Sequence, residues 1–149
     1  MDDLSWHCKE FDQFTITELY AVLEARVNVF VVEQNCPYPE LSGGDEQAIH
    51  IWAQKQNQIA AYCRVFAPGI KYEQASIGRV LTTLPFRQFG LGKELIERAI
   101  QNIEERFKTR DICISAQDYL LKFYGEFGFK PTGKSYLEDG IPHSEMRRE

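Results

Sequence analysis

Apolar residues return every four positions from Leu91 through Leu95, Ala99 and Ile103 to Phe107, and Ile96 and Ile100 widen the stripe. Glu94, Glu97, Arg98, Glu104 and Glu105 fall on the opposite side. This period predicts an amphipathic helix packed on a sheet. Upstream the pattern changes to that of a strand: Ile77-Gly78-Arg79-Val80-Leu81-Thr82-Thr83-Leu84 is rich in apolar and β-branched residues, and Pro85 is expected to end it. Nearer the start, residues 4–8 read as a strand. Thr15-Ile16-Thr17-Glu18 then reads as a capping box, with Phe14 placed to staple onto Leu19. The helix that follows is expected to bury Leu19, Val22, Leu23, Val27 and Phe30. A polar, Pro-bearing loop over 35–46 leads to a strand in which Ile49, Ile51 and Ala53 alternate with His50, Trp52 and Gln54. After a turn at 55–58, a strand over 59–66 is broken by Pro68-Gly69. Residues 111–116 predict another strand, residues 117–127 a short helix closed by Gly128, and two last strands flank Asp139-Gly140. The order is β-α-β-β-β-α-β-α-β-β, an α/β arrangement expected to form one domain over residues 1–149.

The junction between the strand at 77–84 and the long helix carries the first candidate chemistry. Arg87-Gln88-Phe89-Gly90-Leu91-Gly92 ends in two glycines at the helix start. Without Cβ atoms, they let an anion reach the unpaired N–H groups there, where the helix dipole also favours negative charge. The stretch is not a P-loop, because Lys93 is followed by Glu94 rather than Ser or Thr. It is not a dinucleotide fingerprint either, because Leu95 stands where the third glycine would fall.

Composition narrows the partners. The net charge of −5 over 149 residues comes from interspersed acids and bases with no basic stripe, which argues against nucleic acid. Cys8, Cys36, Cys63 and Cys113 form no C-x-x-C pair and have no histidine at metal-ligand spacing, so reduced thiols and no metal are expected. Met1-Asp2-Asp3 begins without a basic leader, and no run approaches the roughly 18 apolar residues of a membrane span. The expectation is a soluble cytoplasmic protein without a membrane partner; a homodimer stays open.

The Arg-x-x-Gly-x-Gly stretch after a strand and proline resembles the pyrophosphate loop of the GNAT superfamily of acetyl-CoA-dependent N-acetyltransferases. A second stretch, Gln117-Asp118-Tyr119-Leu120-Leu121-Lys122-Phe123-Tyr124-Gly125-Glu126-Phe127-Gly128-Phe129, is similar to that family's late helix. Four further stretches look like signatures of its ElaA-like group: residues 26–40, 67–72, 77–80 and 140–143. The resemblance implies a central mixed, twisted sheet flanked by helices and acetyl-CoA as cosubstrate, without a metal. It implies main-chain bonds from Leu81, Thr82 and Thr83 to the pantetheine arm and a pyrophosphate wrapped by Gln88, Phe89, Gly90, Leu91, Gly92 and Lys93. It also places Gln117 on the cofactor and Tyr124 near the thioester sulfur. Two positions depart from the group's pattern: Gln88 stands where glycine is commonest, and Ser42-Gly43-Gly44 replaces a more acidic stretch before Asp45.

The implied reaction sets demands on the residues. A lysine-like amine with a pKa of about 10.4 is only about one part in two thousand neutral at pH 7, a deficit of roughly 4.6 kcal/mol that a base or a desolvating pocket must offset. The thioester oxygen gains negative charge, which N–H groups near Leu81 to Thr83 can stabilise if a bulge frees them. The leaving thiolate needs a proton, for which Tyr124 is the candidate donor; its other reading is a core aromatic. Arg87 reads as an anion contact or as the partner of a carboxylate. Glu33, Tyr38 and His50 are the candidates for an acceptor wall, with Glu33 binding the ammonium group and Glu33 or His50 as base. From the residues alone, His50 reads first as a structural histidine and Glu33 as a solvated helix end. Acceptors ranging from a polyamine or antibiotic to a peptide N-terminus or lysine side chain fit this chemistry. A non-catalytic acyl-CoA sensor is the competing class.

Overall fold

The computed structural model describes residues 3–149; Met1 and Asp2, read above as part of a leaderless start, lie outside it. The chain runs β1 (Leu4–Glu10), α1 (Ile16–Val27), β2 (Ile49–Lys55), β3 (Gln58–Phe66), β4 (Ser76–Thr82), α2 (Leu91–Phe107), β5 (Ile112–Gln117), α3 (Leu121–Gly125), β6 (Lys130–Glu138) and β7 (Ile141–Arg148). This is the predicted order. Strands β1-β2-β3-β4 form one antiparallel sheet and β5-β7-β6 a second. A parallel bridge between Ala75 and Ile112, with the Cys113 N–H on the Ala75 carbonyl at 2.9 Å, joins them. The central sheet is therefore divided between β4 and β5, and the division opens a cleft.

The two faces of the first sheet are both covered. Leu95, Ile96, Ala99 and Ile103 of α2 pack with Ile51, Ala53, Ala61, Cys63 and Val65 on one side. Val22, Ala25 and Val29 pack with Trp52, Ile59, Tyr62 and Leu81 on the other. Burying each such aliphatic side chain contributes about 1.5–3 kcal/mol. Two-sided cover explains why β2 is buried from Ile49 through Ala53 although its sequence alternates. On α1 the buried set is Val22, Ala25 and Arg26, while Leu19, Leu23 and Val27, and Phe30 just beyond it, are half-buried, so the core face is rotated from the expected one. The Thr15–Glu18 capping box is formed in both directions. Phe14 stacks on Trp52 at 5.1 Å.

Three boundaries differ from the pattern, each for a local reason. Strand β4 stops at Thr82; the Thr83 N–H bonds the Ala60 carbonyl, and Pro85 sits inside a tight turn, Leu84–Phe86, rather than ending the strand. Gln117 remains in β5 opposite His143, and Asp118 accepts a hydrogen bond from the Ser144 hydroxyl at 2.7 Å. Those cross-strand ties delay the helix until after a turn at Asp118–Leu120. Beyond α1 the chain widens into a π-helical turn, Asn28–Glu33, a form that recurs at functional sites.

The polar loop at 35–46 is not a solvated connection. Gly43 and Gly44 adopt φ of 98° and 91°, a left-handed pair that few other residues accept, and the chain then turns Asp45 inward. Asp45 Oδ1 receives Arg26 Nη1 and Arg64 Nη1, each at 2.8 Å. Glu40 Oε2 receives Arg26 Nε at 3.0 Å, and Arg79 Nε lies 3.0 Å from the same oxygen outside hydrogen-bonding alignment. Arg26 is fully buried, and burial raises the Asp45 carboxyl while Arg26 and Arg64 outweigh that effect and hold it below its ordinary value.

Candidate active site

Two cavities meet inside the division between the sheets. One, of about 380 Å³, is lined by Phe30, Glu33, Thr82, Arg87, Gly92 and Phe123 among others. The second, of about 450 Å³, is bounded by Arg64, Lys71, Arg79, Ser115, Glu138 and His143 among others. Phe30, Val80, Gln117, Leu120 and Tyr124 line both, and so mark their junction.

Leu81, Thr82, Arg87, Gly92 and Gln117 of the expected cofactor residues line the first cavity, and Thr83, Gln88, Phe89, Gly90, Leu91 and Lys93 do not. Gly90 takes a left-handed φ of 75° as the cap of α2, and the first intrahelical bond runs from the Glu94 N–H to the Gly90 carbonyl. The N–H groups of Leu91, Gly92 and Lys93 therefore have no acceptor inside the helix. A Cβ at Gly92 would stand 3.7 Å from the Phe123 ring and 3.9 Å from the Thr82 methyl, against the cavity wall. Leu81 is buried beside this cavity, whereas the Leu91 side chain points into the core. Gln88 and Phe89 are exposed, and Gln88 adopts a φ of 73°, which accounts physically for glycine being favoured there. Gly90 and Lys93 border a shallow surface depression with Glu94 and Glu97.

Arg87 is committed within the protein. Its Nε and Nη2 donate to the Thr82 carbonyl at 3.0 and 2.9 Å, and Nη2 also donates to Glu33 Oε1 at 2.6 Å. The carboxylate-partner reading of Arg87 is the one the side chains adopt. Thr83 is likewise engaged, with its N–H on Ala60 and its hydroxyl on the Ile59 carbonyl at 2.7 Å. The bulge foreseen near Leu81 to Thr83 lies earlier. Tyr62 pairs with Leu81 and Arg64 with Gly78, so Arg79 and Val80 together oppose Cys63, with Arg79 at a φ of 51°.

Tyr124 is only 6% exposed, a packed aromatic, and it also borders both cavities. Its ring meets Phe123 and Phe129 edge to face at 5.1 and 5.9 Å. Burial pushes its ionisation well above that of an ordinary phenol, so the hydroxyl keeps its proton at neutral pH. Gln117, at the end of β5, borders both cavities as well.

The three residues expected to form one acceptor wall are separated. His50 is 1% exposed, with Nδ1 2.6 Å from the Tyr62 hydroxyl, Nε2 3.0 Å from the Asp45 carbonyl and Phe14 at its edge. It is a core histidine, held there because β2 is covered on both faces. Glu33 belongs to the first cavity through Arg87. Tyr38 borders a small space of about 30 Å³ with Glu40, Glu138 and His143.

The second cavity brings an unforeseen pair instead. His143 Nδ1 lies 2.7 Å from the Ile141 carbonyl, which can only accept, so the proton belongs on Nδ1. His143 Nε2 is 3.3 Å from Glu138 Oε2, and His143 pairs across the strands with Gln117 at the junction. The Gly140-Ile141-Pro142-His143 stretch had carried this histidine without a role.

The fold, a sheet divided between β4 and β5 with helices on both faces, is that of the acyl-CoA N-acyltransferases. Residues 20–149 match the acetyltransferase (GNAT) domain family, and the chain belongs to it. Within that family, protein ElaA of Escherichia coli strain K12 is 35% identical over 98% of this chain and 97% of its own. The crystal structure of E. coli ElaA superposes with a TM-score of 0.90, covering 98% of this chain and 99% of that one at 34% identity. An acyl-CoA N-acyltransferase from Pseudomonas aeruginosa superposes with a TM-score of 0.93 at 42% identity, with 98% of this chain and 99% of that chain covered. A GNAT family acetyltransferase from Elizabethkingia anophelis, solved with acetyl-CoA bound, shares the fold at a TM-score of 0.63 and 15% identity, over 100% of this chain and 99% of its own. Among the described residues, no cluster suited to a metal occurs and no helix is long and apolar enough to cross a membrane.

Proposed function

We propose that the protein is an N-acetyltransferase that moves the acetyl group of acetyl-CoA to an amine by direct attack in a ternary complex, acting as one domain in the cytoplasm. The observation that carries this reading is the meeting of two cavities at Tyr124, one of them bounded by the glycine-bearing start of α2. The pyrophosphate of acetyl-CoA binds the free N–H groups of Leu91, Gly92 and Lys93, and the thioester reaches the junction beside Val80 and Gln117. The amine enters the second cavity and gives a proton to His143 Nε2, with Glu138 beside it to stabilise the imidazolium. Nitrogen attacks the thioester carbon, and the oxygen's charge falls near the bulge at Arg79 and Val80, where the ladder leaves main chain unpaired. As the C–S bond breaks, Tyr124 gives its proton to the departing thiolate, and the proton that the attacking nitrogen then sheds to become an amide restores the phenol. Glu33 serves the cofactor side by fixing Arg87.

Initial rates with a panel of amines should give intersecting patterns in acetyl-CoA and amine, as a ternary complex requires; parallel lines would mean a covalent intermediate. Cofactor binding without turnover of any amine would favour the sensor. Gly92→Val should crowd the cavity between Phe123 and Thr82 and weaken acetyl-CoA binding at least tenfold, about 1.4 kcal/mol. A calorimetric dissociation constant equal to wild type would remove the α2 start from the cofactor site.

A further inference from the structure

The walls of the second cavity differ in charge according to the sheet that supplies them. Arg64 of β3, Arg79 of the β4 bulge and Lys71 of the preceding loop come from the first sheet's side. Glu138, Asp139 and His143 come from the β6–β7 hairpin of the second. Charge on the first wall does not cancel internally. Arg26, Arg64 and Arg79 share two carboxylates, Glu40 and Asp45, and Lys71 adds a further cation. Arg64 is 7% exposed, and its buried Nε has no partner among the described residues. Arg64 and Lys71 each lie 5.1 Å from the Phe66 ring centre, gathered at one end of the cavity. Three guanidinium groups on two carboxylates leave a net positive charge on this wall, which stands out because buried charges are ordinarily balanced.

We propose that the acceptor is an amino acid or a closely similar amino-carboxylate, with its amine held toward Glu138 and His143 and its carboxylate held by Arg64, Lys71 and Arg79. This identification rests on the acyltransfer reading above for the amine's position, and on the wall charges alone for the carboxylate. A planar guanidinium is well matched to a carboxylate, and Arg64 already takes such a contact from Asp45. A diamine or polyamine finds acidic groups on one wall only and places its second ammonium against like charge on the other. The two-glycine turn contributes Ser42 to the same end of the cavity, where a longer acidic side chain would compete with the ligand carboxylate for Arg64.

The test compares matched pairs that differ only in the carboxylate: ornithine with putrescine, and phenylalanine with phenethylamine. For each pair, kcat/KM is measured with saturating acetyl-CoA, and direct binding to the wild-type protein is measured by calorimetry in the presence of CoA. The expected result is at least a tenfold preference for the amino acid in one pair or both. Arg64→Gln should raise KM for the amino acid about tenfold and Lys71→Gln about threefold, with neither changing KM for the matched amine more than twofold. If Arg64→Gln fails to fold, Lys71→Gln carries the comparison. Equal or better use of the decarboxylated amines, or a preference unmoved by these substitutions, overturns the proposal. If no amine is acetylated, the acyltransfer reading fails, and calorimetry then decides this one: tenfold tighter binding of an amino acid sustains the anion site, and equal binding overturns it.

Discussion

Replacing Tyr124 by Phe is expected to lower kcat about a hundredfold while leaving the acetyl-CoA dissociation constant unchanged. The substitution removes one oxygen and keeps the ring, whose edge contacts with Phe123 and Phe129 hold its position. The lost effect is general-acid catalysis, for which about 10² is the lower end of the usual range. A leaving CoA thiolate gains most from a proton donor that is fully protonated at working pH. Burial secures that condition by raising the Tyr124 ionisation. Because the active form is the protonated one, any loss of rate from ionisation of this group should begin only above the ordinary phenol value of about 10. Single-turnover rates measured across pH 6–9 read the chemical step even when product release limits kcat. A Phe variant with near wild-type single-turnover rates would return Tyr124 to the role of a packed aromatic.

The elements were legible because two different periods were written plainly in the chain. Leu91, Leu95, Ala99 and Ile103 are buried as their four-residue spacing required, and the left-handed Gly90 caps the helix they form. The Asp139-Gly140 pair, both at positive φ, marks the turn between β6 and β7. The acceptor side was not legible. Periodicity places a residue on a face but does not say which faces are covered twice, so His50 looked available when Tyr62, the Asp45 carbonyl and the Phe11 and Phe14 rings enclose it. Nor does it show that two sheets part between β4 and β5, where His143 lines the same cavity as Arg64 and Lys71. One signal was present and unused. Arg26 follows Val22 by four residues and therefore lies on the helix's buried stripe, where a charge demands partners. The acids of the loop at 35–46 were the nearest candidates, and Glu40 and Asp45 are those partners.

Asp45→Asn is expected to cost about 3–5 kcal/mol of stability at pH 7, a large share of the 5–15 kcal/mol typical of a whole domain. The amide is nearly the same size, so packing is preserved and the change isolates charge. Asp45 Oδ1 accepts from both Arg26 and Arg64. Without its charge, Glu40 still pairs with Arg26 and Arg79, but Arg64 at the edge of the second cavity loses its carboxylate partner. The penalty arises from stranding buried cations, since exchanging a whole buried ion cluster for apolar groups is often neutral or better. Protonation of wild-type Asp45 does the same thing reversibly. Its folded-state pKa lies below its unfolded value, so the stabilisation is complete above the unfolded value of about 3.9 and is lost as pH falls through the lower folded one. Urea denaturation should therefore show a wide gap between wild type and the Asn variant at pH 7 that narrows steadily below pH 4. A gap of less than 1 kcal/mol at pH 7, or one of constant size down to pH 2.5, would mean that Arg26 and Arg64 are neutralised by something other than this carboxylate, and the charge count that leaves the cavity wall positive would have to be redrawn.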